Sequence, residues 1–177
     1  MNNTCCNSFI RRKDGSIAVE FAVVAIPFLW MLIGMVELAL YFTTSSLLAE
    51  SANIGARMIR TGQISEMAGD PFANFKDVVC DRAAIFIPCA NIQYEVAVMN
   101  NGDYSDMENH DAGFDEDGNL SNNGNYDGGA QSDVIMVRLA YRYPFYTPVI
   151  GGLMADNADN TRLIVNTVLV KNEPYQE

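Results

Sequence analysis

The chain has 177 residues, with 22 Asp and Glu against 11 Lys and Arg and a formal net charge of −11. That balance argues against nucleic-acid binding, which needs basic patches, and against adhesion of an exposed domain to anionic lipid. The length suits one modest soluble domain beside an anchoring segment, not two.

Residues 1–15 read as a short cytoplasmic leader. Arg11, Arg12, Lys13 and Asp14 give residues 1–14 a charge of +2, so the remainder carries −13. Phe21 to Val36 contains no charge, and with Glu37 tolerated the apolar run continues to Phe42. It is long enough to cross a hydrocarbon core of about 30 Å at about 1.5 Å per residue. In lipid the backbone must satisfy itself, so residues 16–42 are predicted as a transmembrane helix, with Pro27 accommodated by local adjustment. The cationic flank places the N-terminus in the cytoplasm and everything after Phe42 outside. Two plainer readings stand beside this one: a cleaved secretory signal peptide and a simple anchor. The first fits poorly, because the run exceeds an ordinary h-region and Ala49-Glu50-Ser51 is a poor cleavage site.

A basic leader, Gly15, four residues, Glu20, the aromatic Phe21 and then a long apolar helix resemble the processing site of type IV pilin-like proteins. The resemblance implies cleavage by a membrane prepilin peptidase between Gly15 and Ser16, leaving Glu20 as the fifth mature residue. A carboxylate at that depth is costly unless paired. The new α-amine on Ser16 of a neighbouring subunit would supply the cation and set the axial register of packed helices. The alternative is a Glu20 that snorkels or is protonated. Glu37, about 25 Å further along the helix, is the second intramembrane acid. It is either an assembly residue or one that reaches the outer headgroups.

Residues 43–62 are predicted to continue as an extracytoplasmic helical stem. Leu47, Leu48, Ser51, Ala52, Gly55, Met58 and Ile59 recur at helical spacing, and Gly62 is a natural stop. Small residues Ser45, Ser46, Ala49, Ala52, Gly55 and Ala56 would allow close approach of another helix, or would pack on the chain's own outer domain. Residues 63–177 form that domain. After a loop at 63–70, Asp70 as N-cap and Pro71 at the first turn open a second, short helix carrying Phe72, Phe75, Val78, Val79, Arg82, Ala83 and Phe86. It ends before Pro88. Cys80 and Cys89 lie in an oxidising compartment if the topology holds, so a disulfide is expected. A metal or redox pair is the alternative, and the spacing does not favour it.

Ile92 to Val98 alternates as a half-buried strand. Ser132 to Tyr143 is a second, with Ile135, Val137, Leu139, Tyr141 and Tyr143 on one face and Arg138 and Arg142 on the other. Thr161 to Lys171 is a third, with Leu163, Val165, Thr167 and Leu169 on one face. Pro144 to Ala155 reads as a short apolar helix or a membrane-facing loop. The fold class expected is therefore α+β: a long N-terminal helix, a second short helix, and a small antiparallel sheet of about three strands, in a pilin-like lollipop.

Residues 100–133 hold nine acids and no Lys or Arg, a long loop that is functional or solvated. Asp115, Asp117 and Asn119 form a partial calcium-loop match. Aligning Gly118 with the turn glycine leaves Gly113 and Gly124 where ligands should stand, so a solvated acidic loop is the preferred reading. His110 is the only histidine and is read as a solvated loop side chain. No catalytic constellation or cofactor motif is found, so no enzyme and no cofactor are expected.

The segments GSIAVEFAVVAIPFLWMLIGMVELAL and LLAESANIGARMIRTGQ resemble the TadE-like family of tight adherence (Tad, Flp-type) pilus systems. FKDVVCDRAAIFIPCANIQYEVAV, VRLAYRYPFYTPVIGGL and the closing Asn172-Glu173-Pro174-Tyr175 are also similar, so the resemblance runs along nearly the whole chain. The acidic insertion at 100–131 lies outside the family pattern, and Phe21 stands where major-pilin relatives usually carry Tyr. The resemblance implies a minor pilin or pseudopilin that acts in pilus assembly, surface adhesion or secretion, without catalysis, in the bacterial inner membrane. Its partners would be sibling minor pilins, the major pilin, inner-membrane platform proteins, the prepilin peptidase and membrane lipid, with no nucleic acid. A reading from the residues alone also allows a single-pass binding module whose acidic loop holds a cation or a partner.

Overall fold

A computed structural model describes residues 16–99, 113–115 and 118–174. The leader with Gly15, the stretch 100–112 with His110, the pair Glu116 and Asp117, and Tyr175 lie outside the described residues. The chain divides into two compact units, Met1–Leu40 and Tyr41–Glu177.

Helix α1 (Ser16–Arg60) has 45 residues and keeps Pro27 inside it. It ends where Gly62 takes φ 75°, a left-handed conformation that glycine adopts without a Cβ penalty. The expected loop after it contains one helical turn, α2 (Gln63–Glu66). Ile64 on that turn is buried, which holds a four-residue helix too short to show a period of its own. Helix α3 (Pro71–Ala83) begins as expected: the Asp70 carboxylate accepts from the backbone N–H groups of Phe72 and Ala73 at 3.4 and 3.2 Å. Phe75, Val79 and Ala83 form its buried stripe. Cys80 and Cys89 are joined in a disulfide with Cα atoms 5.5 Å apart, tying the last turns of α3 to a 3₁₀ turn (Cys89–Asn91) that leads into the sheet.

The sheet has four strands in the order β2-β1-β3-β4. Strands β1 (Ile92–Val98), β3 (Val134–Pro144) and β4 (Thr161–Lys171) pair antiparallel. The expectation of three antiparallel strands needs one correction. Strand β2 (Asn125–Tyr126) arises from the acidic loop and runs parallel to β1, making the sheet mixed. Two residues carry no alternation to read, and a parallel partner needs a long crossover. The stretch of sequence between Val98 and Asn125 is long enough for one. Residues 123–127 satisfy the outer edge of β1: Gly124 donates to the Tyr94 carbonyl, Asp127 N–H to the Val96 carbonyl, and the Asn123 side chain accepts from the Tyr94 N–H.

One face of the sheet makes the main core. Ile92, Tyr94, Val96, Ile135, Val137, Leu139, Tyr141, Tyr143 and Ile164 meet Leu48, Ala52, Ala56 and Ile59 of α1 and Phe75, Val79 and Ala83 of α3. On β4 the core side is Ile164, Val168 and Val170. The alternate set Leu163, Val165, Thr167 and Leu169 lies on the opposite face, since side chains alternate along a strand. Three of the small residues of the stem, Ala52, Gly55 and Ala56, pack inside the chain. A Cβ on Gly55 would stand 2.6 Å from Phe75 Cε2 and 3.1 Å from Val79 Cγ2, so α3 approaches α1 as closely as a missing side chain permits. Tyr94 sits among Phe72 and Phe75, with ring centroids 6.3 and 6.2 Å away, and Tyr126 of β2 joins the same aromatic group.

Burial pushes the Tyr94 hydroxyl from 10.0 up to about 12, with the charge of Asp77 adding to it, and burial raises Tyr141 as well. The fold therefore favours the neutral phenol. That stabilisation is complete below the unfolded value and is lost as pH rises through the folded one. Melting in detergent is expected to hold level up to about pH 10 and fall between 10 and 12, and Tyr94→Phe should flatten part of that fall. Replacing Cys80 and Cys89 together by Ser is expected to lower stability by about 2–3 kcal/mol, read by urea titration, because so short a closed loop removes that much chain entropy.

Candidate functional site

Two features of the chain go beyond the needs of an ordinary core. The first is the N-terminal part of α1. Ile17, Phe21, Val23, Val24, Ile26, Phe28, Leu29, Trp30, Met31 and Ile33 are all exposed. These residues point in every direction round the helix, so no polar face is left for water. A core helix of a soluble domain would be covered, yet only 11% of this apolar window is buried. A helix apolar all round and uncovered by its own chain calls for lipid or for other apolar helices. It is long and apolar enough to cross a membrane once.

The residues singled out in the sequence fall on this helix as follows. Ser16 is its first described residue, immediately after Gly15. Glu20 is exposed and Phe21 is 74% exposed. Glu37 is only 4% exposed, whereas Val36 beside it is open. The two acids of the apolar stretch thus stand in different surroundings, and charge alone does not distinguish them in the sequence.

The second feature lies on the sheet face turned away from the main core. Glu95 of β1 and Arg138 of β3 are direct partners in the antiparallel register. Arg138 Nη1 donates to Glu95 Oε2 at 2.9 Å, with the two side chains 5% and 1% exposed. Each charge has further support. Asn122 Nδ2 donates to Glu95 Oε1 at 3.0 Å, and Arg138 Nε donates to Thr167 Oγ1 at 3.3 Å. Beside the pair, Ala97, Met99, Val134 and Met136 form a small second core with Leu169. The alternation of β3 places Arg138 away from the main core, and its guanidinium is engaged there by Glu95 and Thr167. Glu95, the lone acid in β1, was the available signal for a partner.

Two of the three candidate calcium ligands, Asp115 and Asn119, hydrogen-bond within the loop and to β1. Asp115 accepts from the Asn119 backbone N–H at 2.7 Å and from its Nδ2 at 3.3 Å. Asn119 Oδ1 accepts from Gln93 Nε2 at 2.7 Å. Asp117 lies outside the described residues, and among the described residues no three His, Cys, Asp or Glu side chains gather. The closing motif has a clear structural task. Glu173 N–H donates to the Arg60 carbonyl at 3.0 Å, while Arg60 Nε and Nη2 donate to Glu173 Oε1 at 3.0 and 2.5 Å. One of the carbonyls left open at the end of α1 is capped in this way. Asn172 Nδ2 donates to the carbonyls of Gly128 and Ala130, each at 3.0 Å, fastening the end of the acidic loop.

A family model described as TadE-like protein matches residues 15–57. The match begins at Gly15, contains Glu20, Phe21 and Glu37, and ends on Gly55-Ala56-Arg57, and it does not extend into the sheet. No curated protein matches the chain, and no solved structure does.

The buried pair generates a directional prediction. Removing one member strands the other charge, so Glu95→Gln or Arg138→Met should cost about 3–5 kcal/mol in urea titration, whereas Glu95→Met combined with Arg138→Met should cost much less than either.

Proposed function

We propose that the chain is a minor pilin or pseudopilin of a tight adherence (Tad) pilus system, held in the inner membrane by α1 and acting in assembly of the pilus. The observation that supports this reading is a helix, described from Ser16 onward, whose apolar residues Phe21 to Ile33 are exposed round its circumference and which coincides with the TadE-like match.

The physical sequence of events follows from that helix. The basic leader keeps the N-terminus in the cytoplasm. A prepilin peptidase cuts between Gly15 and Ser16, which frees an α-amine at the membrane surface. Glu20 then offers a carboxylate one helical turn further in, about 6 Å along the axis. An intramembrane acid is costly alone and favourable when paired. Pairing with the amine of a neighbouring subunit, a sibling minor pilin or the major pilin, fixes how far one helix slides against the next. Platform proteins of the inner membrane then meet the assembled helices. The domain from Tyr41 onward remains outside, where its disulfide is stable.

The mature N-terminus tests this. Mass spectrometry of the protein from cells carrying a prepilin peptidase is expected to find Ser16 first, and Gly15→Leu is expected to retain Met1 or its processed equivalent. A wild-type chain still carrying its leader in those cells would refute the processing step. With processing intact, Glu20→Ala is expected to reduce recovery of the protein with pilus components at least about tenfold, which corresponds to about 1.4 kcal/mol of lost pairing.

A further inference from the structure

The apolar segment after β3 has an exposed side that the core does not use. Helix α4 (Pro148–Met154) buries Gly151, while Ile150 and Met154 pack against the main core. Its other side is open: Val149 is 52% and Leu153 79% exposed, and Tyr146 just before it is 77% exposed. Residues 144–155 contain no charged side chain.

Its position identifies the surface that covers it. Tyr41, at the end of the apolar run of α1, stacks on Phe145 at 5.7 Å and meets Tyr143 edge-on at 5.5 Å. The Arg162 guanidinium stands 5.8 Å from the Tyr41 ring, and its Nη1 donates to the Met154 carbonyl at 3.4 Å. Tyr41 and α4 are thus fastened together inside one unit. Phe42, the next residue, is 61% exposed, and polar residues Thr43 and Thr44 follow. If α1 crosses a bilayer, the water boundary falls here, because the apolar run stops here. Tyr, Phe and Arg grouped at that boundary are the residue types that favour the headgroup region.

We propose that α4 is a membrane contact: Tyr146, Val149 and Leu153 enter the headgroup region of the same bilayer that α1 crosses, and unit Tyr41–Glu177 rests on lipid at this corner. The proposal rests on the membrane-spanning reading of α1. The insertion is apolar in origin. Asp156 and Asp159 flank the segment, so attraction to anionic lipid contributes little, and the contact should be insensitive to salt. Ile85 and Phe86, exposed just beyond the end of α3, serve as the comparison.

The full chain in phospholipid nanodiscs provides the test. Trp30 is the only tryptophan, so in the native chain it reports the span itself through quenching by nitroxides deep in the acyl region. In a Trp30→Phe background, Leu153→Trp and Tyr146→Trp report α4, and Ile85→Trp reports a surface in water. A side chain buried about 5–10 Å below the headgroup surface should show blue-shifted emission and at least about twofold stronger quenching by headgroup-level nitroxide lipid than Ile85→Trp does. Equal access of aqueous acrylamide to Leu153→Trp and Ile85→Trp, with no lipid quenching, would overturn the proposal. So would protection of Leu153→Trp from acrylamide without lipid quenching, because protein would then cover the patch. A Trp30 untouched by deep nitroxides would remove the spanning reading first, and that result is separate from either of the others.

Discussion

The constraint that governs this molecule is the change of surroundings along α1. Over residues 21–33 the helix is apolar in all directions and largely exposed among the described residues. Over Leu48, Ala52, Ala56 and Ile59 the same helix buries one stripe and turns Asn53, Arg57 and Arg60 outward. A helix satisfies its backbone internally in either medium, so one element can serve as span and as core wall. Everything else in the domain from Tyr41 onward is arranged on the stripe. The sheet lies against it, α3 closes on Gly55, and Glu173 caps its end.

The sheet's second face explains what residues 119–124 of the acidic stretch do. Glu95 and Arg138 would be expensive to desolvate without added hydrogen bonds. Asn122 supplies one to Glu95, and Gln93 binds both Asn119 and the Leu120 backbone. Asn123 and Gly124 complete the edge of β1. This part of the loop is therefore a cover for a buried charge pair and a protected sheet edge. A pair of this kind adds little net stability over apolar residues, but an out-of-register pairing would strand a charge, so it selects one alignment of β1 with β3.

Much of this was legible from local chemistry. Asp70-Pro71 marked the start of α3, the alternation through Ile135, Val137, Leu139, Tyr141 and Tyr143 marked β3, and the position of Cys80 and Cys89 beyond the apolar run marked the bridge. What escaped depends on contacts distant in sequence. Strand β2 is two residues long and exists only because β1 has an edge to fill. The hydrogen bond that supports the buried Glu95 comes from Asn122, 27 positions later in the chain, which periodicity within β1 cannot reveal. On β4 both faces are apolar enough to alternate, so Leu163 and Ile164 had equal claim to the core until α1 and α3 chose one side.

The division of α1 also bears on how such helices could bundle. Beyond Phe42 the small residues are largely taken: Ala52, Gly55 and Ala56 are buried within the chain, and a side chain at Gly55 would strike Phe75. The face left to an outside partner offers Ser46, Glu50, Asn53 and Arg57, with Glu50 already paired to Arg82 at 3.3 Å. Exposed polar contacts of that kind are worth little each. In the assembly proposed above, cohesion between neighbouring helices would come from the apolar residues before Phe42, where close packing of side chains is the available source of attraction. Register would then be set at the start of the helix, near Glu20, and the outer domain would follow it.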